Sequence, residues 1–178
     1  MIRLSFRKDH SAFIRVASAS LLMLAGLGAA QADGGGRRLM PTPLKAYTQE
    51  CGACHTAYPP GLLPARSWQR LMQGLQQHYG TDASLDAPMA AQIGVWLQAN
   101  AGTDKRVREE PPQDRITRSA WFERKHRKLD AAVWSHTSVK TAANCAACHT
   151  NADIGRFDER DLRVPAGLEG RLRRGWSD

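Results

Sequence analysis

Cys51-Gly52-Ala53-Cys54-His55 and Cys145-Ala146-Ala147-Cys148-His149 are two copies of one pentapeptide, Cys-x-x-Cys-His, in a chain of 178 residues that has only four cysteines. The spacing has a chemical reading. Two thiols separated by two residues match the spacing of a haem's two vinyl groups, across which they add to form thioethers. The histidine that directly follows is placed to reach the iron from the proximal side. Other uses of the same residues fit less well. A four-cysteine zinc module usually sets its two knuckles about 15–20 residues apart, whereas these motifs lie about 90 residues apart. Two disulfides would use up the thiols but would not require histidine at the same offset twice. The motifs therefore predict two covalently attached c-type haems, with Cys51, Cys54, Cys145 and Cys148 as attachment points and His55 and His149 as proximal iron ligands.

The N-terminal composition agrees with export. Arg3, Arg7, Lys8 and Arg15 precede the apolar run Val16 to Ala30, and Ala30-Gln31-Ala32 fits a small-x-small cleavage site. The apolar run is shorter than the ~20 residues that span a bilayer. Residues 1–32 are thus expected to be a cleavable signal peptide and the remainder to be periplasmic, where c-type haem is attached. The leader holds four of the 25 Lys/Arg and one of the 17 acids, so the formal charge falls from +8 for the chain to +5 for residues 33–178. Such an excess suits acidic partner surfaces and fixes no docking site. Nucleic acid is a poor partner for an exported haem protein. The basic end, Arg171-Leu172-Arg173-Arg174, reads as a solvated tail.

Between the motifs the pattern is helical. A short helix is expected from Lys45 into the first motif, broken at Tyr58-Pro59-Pro60-Gly61. Ser67 can cap a helix over Trp68 to Tyr79, ended by Gly80, with Trp68, Leu71, Met72, Leu75, His78 and Tyr79 on one broad face. Asp86 can cap another, reaching about Asn100, with Ile93, Trp96 and Leu97 inward. Ala101 to Arg115 has Gly, Pro-Pro, mixed charge and no apolar period, and reads as a linker. Thr117 or Ser119 opens a helix to about Leu129 on which Phe122, His126 and Leu129 share a face. A last helix is expected around Thr141 to His149. No alternating strand pattern stands out. The expected organisation is a leader over 1–32, an N-terminal haem unit over 33–103 and a C-terminal haem unit with a basic tail over 104–178. Units this small bury little core of their own, and a haem plate supplies apolar surface.

The sixth iron positions can be sought by counting. Beyond the two motifs, residues 33–178 hold His78, His126 and His136, and their methionines are Met40, Met72 and Met89. No His, Met or Lys follows His149, so any such ligand of the second haem must come from upstream. His78 is the best distal candidate for the first haem. Met72 and Met89 read first as core filler, with ligation open to either. For the second haem His126 leads, because its neighbours at helical spacing are apolar, and His136 in the polar turn Ser135-His136-Thr137 is the spare.

The residues also carry a resemblance. Glu50 through Trp68, His78-Tyr79-Gly80, Ala83-Ser84-Leu85, Trp121-Phe122 with His126, Val139-Lys140, Asn144 with the second motif, and Gly155-Arg156-Phe157 resemble, in order, segments of the soluble dihaem cytochrome c family. The resemblance implies an all-α, cytochrome c-like fold of short helices around two haems, with His55/His78 and His149/His126 as axial pairs. A crossed pairing stays open. It implies a low-potential electron carrier rather than an enzyme, working with redox proteins such as an oxygen-binding monohaem cytochrome or a membrane cytochrome b. The alternative is a haem enzyme or gas-binding protein, dihaem peroxidase-like, with one open iron. That reading expects too few distal ligands, yet here one histidine is left over.

Overall fold

The structure is a computed structural model that describes residues 41–176. The leader expected over residues 1–32, and Met40, lie outside the described residues. What is described falls within one unit, Ala32–Asp178. Among the described residues there is no strand, only helices, 3-10 turns and two isolated bridges, His78 with Thr81 and His149 with Leu162. The expected all-α class holds. No helix is long and apolar enough to cross a membrane among these residues.

Helix α1, Lys45–Glu50, runs into a 3-10 turn at Cys51–Ala53, so the first motif leaves the helix as it begins. Pro59 and Pro60, both fully buried, turn the chain beneath it. Helix α2 spans Ala65–Gln73 and is entered through Pro64. The residue before a proline is pushed towards extended backbone, and Leu63 is extended. Ser67 therefore does not cap this helix. It lies in its first turn, fully buried, and its N–H donates to the Pro64 carbonyl at 3.0 Å.

Helix α2 also stops earlier than its apolar period suggests. Gly74 ends it, and a 3-10 turn over Leu75–Gln77 follows. Glycine has too much backbone freedom to favour helix propagation. His78 thus sits in a reversal rather than on a helix, followed by Tyr79 at φ 52° and Gly80 at φ 95°. Helix α3, Ala87–Ala99, matches expectation: the Asp86 carboxylate accepts from the Met89 N–H at 2.8 Å. Ile93 and Leu97 are fully buried, and Trp96 packs on Tyr47 with ring centres 5.0 Å apart. Met72 and Met89 pack against the same cluster of Tyr47, Leu63, Trp68, Ile93 and Leu97.

The stretch read as a linker is wrapped onto the first half. Gly102 N–H donates to the Leu63 carbonyl at 2.9 Å, and Val107 is buried. Arg70 holds Asp114 through Nε (2.9 Å) and Nη2 (2.6 Å) and reaches Glu110 at 2.6 Å. Its lack of an apolar period reflects a segment fixed by its backbone and by ion pairs rather than by a buried face.

Helix α4, Ala120–His126, starts at Ser119, whose hydroxyl accepts from the Phe122 N–H at 3.2 Å. A short helix α5, Ala132–Ser135, follows. The helix expected around Thr141 to His149 does not form. Asn144 leaves helical backbone (φ −83°, ψ 71°), its amide donating to the Val139 carbonyl at 3.0 Å, and only a 3-10 turn, Cys145–Ala147, carries the second motif. The C-terminal stretch is not a free tail within the described residues. Leu168 is buried with Val133 and Val139, and Leu172 and Trp176 pack against them.

Candidate haem sites

His55 lies at the end of the first motif's 3-10 turn. Its Nδ1–H donates to the Thr56 carbonyl at 2.7 Å, which directs the Nε2 lone pair outward, away from the backbone. Tyr58 stacks on its other flank with centres 4.8 Å apart. Facing it is His78, at 6.2 Å between ring centres and with planes only 19° apart. The reversal after Gly74 places that ring: Ala83 N–H donates to the Leu75 carbonyl at 2.9 Å and Thr81 N–H to that of His78 at 3.1 Å, closing a tight loop. The loop is clamped by Tyr79, whose hydroxyl reaches the Gln113 and Asp114 carbonyls, both at 3.1 Å, under the Arg115 guanidinium.

The second site repeats the arrangement with different parts. His126 Nδ1–H donates to the Phe122 carbonyl one turn back at 2.8 Å, and the Phe122 ring stacks on it at 4.0 Å. His149 is 6.2 Å away with its plane 81° from that of His126. Phe157 meets His149 edge-on at 5.1 Å, and Trp134 meets His126 edge-on at 5.6 Å. The motif is braced from downstream: Arg163 N–H donates to the Cys148 carbonyl at 2.8 Å and Thr150 N–H to that of Asp161 at 3.1 Å. A cavity of about 660 Å³ opens between the two histidines, with Cys145, Cys148, Trp134 and Phe157 on its walls. A smaller recess of about 220 Å³ adjoins His78.

Both gaps suit a metal held between two imidazoles. Metal–imidazole bonds are about 2 Å each, and two of them plus the two ring radii come to the observed span of 6.2 Å. The protonation states agree. Burial, then the neighbouring His55, lowers the pKa of His78; burial lowers that of His126; burial, then His126, lowers that of His149 to about 4. These rings are neutral near pH 7, the form that binds iron. The Nδ1 atoms of His78 and His149 are buried without a partner among the described residues, so in each pair only one ring is oriented by a backbone carbonyl.

The rings come together as His55 with His78 and His126 with His149. His136 joins neither pair. Its Nδ1 accepts from the Ser138 N–H at 3.3 Å with the Ser138 hydroxyl at 2.8 Å, and its carbonyl accepts from Val139 and Lys140. It organises a turn. None of the four cysteines is paired with another in a disulfide, which leaves all four for haem attachment. Among the described residues no three His, Cys, Asp or Glu cluster to hold a bare metal ion, so the cysteines do not converge on a zinc centre. Trp176 and Leu62, which also line the larger cavity, were missed by sequence reasoning; one sits in a polar tail and the other in the opposite half, and no local spacing ties either to a haem.

A helical chain that brings each attachment motif up against its own second histidine is built as a c-type cytochrome with two haems. The family model for dihaem cytochrome c matches residues 47–157, more than half of the chain, and the chain belongs to that family. A solved diheme cytochrome type c from Shewanella baltica is 35% identical, with 72% of this chain and 96% of that one covered and a TM-score of 0.61. DHC purified from Rhodobacter sphaeroides is 42% identical over 66% of this chain and 99% of its own, with a TM-score of 0.57. A second structure of diheme cytochrome c from that organism is 40% identical over the same shares, at 0.58. No curated protein matches the chain. As in its family, two c-type haems are bound covalently, for which Cys51, Cys54, Cys145 and Cys148 have the spacing.

Proposed function

We propose that this protein is a periplasmic electron carrier whose two haems each have bis-histidine ligation, His55 with His78 and His149 with His126. The observation that carries the reading is the 6.2 Å separation of both ring pairs. With an imidazole on each side, an iron has no position left for a substrate. The haems supply a one-electron couple, and the protein's part is to hold the ligands still. The Thr56 and Phe122 carbonyls fix His55 and His126, and the rings of Tyr58 and Phe122 stack on them, so little needs to reorganise when the charge changes.

Imidazole favours the ferric state relative to thioether, so both potentials should lie below those of Met/His cytochromes. The partner is a redox protein, met through an acidic surface that suits the basic chain. An oxygen-binding monohaem cytochrome or a membrane cytochrome b would be such a partner. The test is the ferrous spectrum under carbon monoxide. Two closed irons leave it unchanged; prompt binding at one haem, or saturable peroxide turnover, supports the enzyme or gas-binding alternative instead.

A further inference from the structure

The family match ends at residue 157, yet the chain downstream returns to the second haem site. Several contacts seat it there. Leu168 is buried and Leu172 packs against the Val133 and Val139 cluster. Arg171 Nε lies 3.6 Å from the Asp130 carboxylate. Gly175, at φ +92°, runs so close to the end of α4 that a Cβ there would stand 2.6 Å from the Lys128 carbonyl oxygen. Only glycine allows that approach. Its consequence is the placement of the next residue. Trp176 lines the cavity that holds Cys145, Cys148, His126 and His149, and its indole Nε1 is buried without a hydrogen-bond partner among the described residues.

A buried N–H left unpaired is costly, and a buried tryptophan usually finds an acceptor for it. The chemistry of the cavity's occupant says what that acceptor is. A haem's pyrrole nitrogens are taken by its iron and its ring carbons accept weakly. Its propionate carboxylates are the strong acceptors at its rim. Arg124, Lys125, Arg127 and Lys128 line the same cavity against a single acid, Glu159, a basic balance that suits carboxylates.

We infer that Trp176 Nε1–H donates a hydrogen bond to a propionate of the second haem, making the C-terminal extension part of that site. Trp176 is then a positioning residue that tunes this haem. The inference rests on the second haem lying between His126 and His149. A donor drawing on the propionate's charge disperses negative charge at the haem edge and favours the reduced iron. The extension therefore raises the second potential relative to a chain without it.

The test uses the full dihaem protein and its Trp176→Phe variant, which keeps an aromatic ring in the packing and removes the N–H. Haem content and low-spin spectra are recorded first on both; a high-spin or single-haem wild type counts against the bis-histidine reading rather than against the donor. With those intact, the expected result is a fall in one of the two potentials, no change in the other, and a shift of one haem's propionate bending band in the resonance Raman spectrum. Ending the chain at Gly175 should produce the same band shift. In the ferrous wild type, the Trp176 indole proton, assigned by its loss in the variant, should exchange slowly with water. An unmoved propionate band in both variants, or a fast-exchanging indole proton, overturns the inference.

Discussion

The Tyr58 hydroxyl donates a hydrogen bond of 2.6 Å to the Ala143 carbonyl. One end of this contact follows the first haem motif by three residues and the other precedes the second by two. The same ring stacks on His55, so a single side chain touches the histidine of one motif and the backbone leading into the other.

Tyr58→Phe keeps the stacking and deletes this bond. The loss of one partly buried hydrogen bond should cost about 0.5–1.5 kcal/mol. Denaturant unfolding of the dihaem protein measures it. A cost near zero would mean that the Tyr58–Ala143 link contributes nothing to holding the two motif segments together.

Gly102 is where the wrapped segment crosses the first half most closely. A Cβ there would lie 2.5 Å from the Gly61 carbonyl oxygen and 2.6 Å from Val107 Cγ2. Gly102→Ala must open both contacts, and overpacking of this kind typically costs about 1–3 kcal/mol. The expected outcome is a lowered melting temperature with both haems still attached. An unchanged melting temperature would show that the close approach relaxes without cost.

His126→Ala should open the second iron. The absorption spectrum of that haem is expected to become high-spin, and its ferrous form to bind carbon monoxide at once. His136→Ala should leave both haems low-spin and weaken only the turn before the second motif. The reverse pattern would reassign the ligand.

Asp114 gives a dependence on pH. The Arg70 guanidinium bonded to it holds its carboxyl below the usual range. Folding thus favours the ionised form. The stabilisation is complete above about pH 4, the ordinary aspartate value, and is lost as pH falls through the lowered one. Asp114→Asn should flatten the acid side of the melting-temperature profile below roughly pH 4 and lower the neutral value slightly. An acid limb as steep as that of the wild type would point to other carboxylates.

What could be read from the chain follows from how local each determinant is. The haem motifs are five-residue signals whose meaning does not depend on the fold. Asp86 was legible as a cap, and Ser119 as one of two candidates with Thr117, because a cap is a contact over three residues. The place of His126 on a helix beside Phe122 was legible because one helical turn relates the two. His78 lies beside His55, but not on the helix that its apolar spacing suggests: Gly74 ends that helix and a reversal delivers the ring instead. The second motif's expected helix failed because the Asn144 side chain satisfies the Val139 carbonyl and turns the chain. The wrapped segment and the C-terminal extension were illegible, since both are held by contacts to residues far away in sequence, Arg70 and Leu63 for one, Asp130 and Lys128 for the other.

The ring planes differ between the pairs, 19° at His55 and His78 but 81° at His126 and His149. Ligand planes that lie nearly parallel pull on one of the iron's two π-type d orbitals more than on the other and split them well apart. Crossed planes pull on both alike and leave them close in energy. Ferric iron between the first pair should then give a rhombic, three-feature paramagnetic resonance spectrum. Iron between the second should give a single strongly anisotropic feature at high g. Two centres closed by these pairs would then be magnetically distinguishable, and the filling and emptying of each could be followed separately in one frozen sample during a titration.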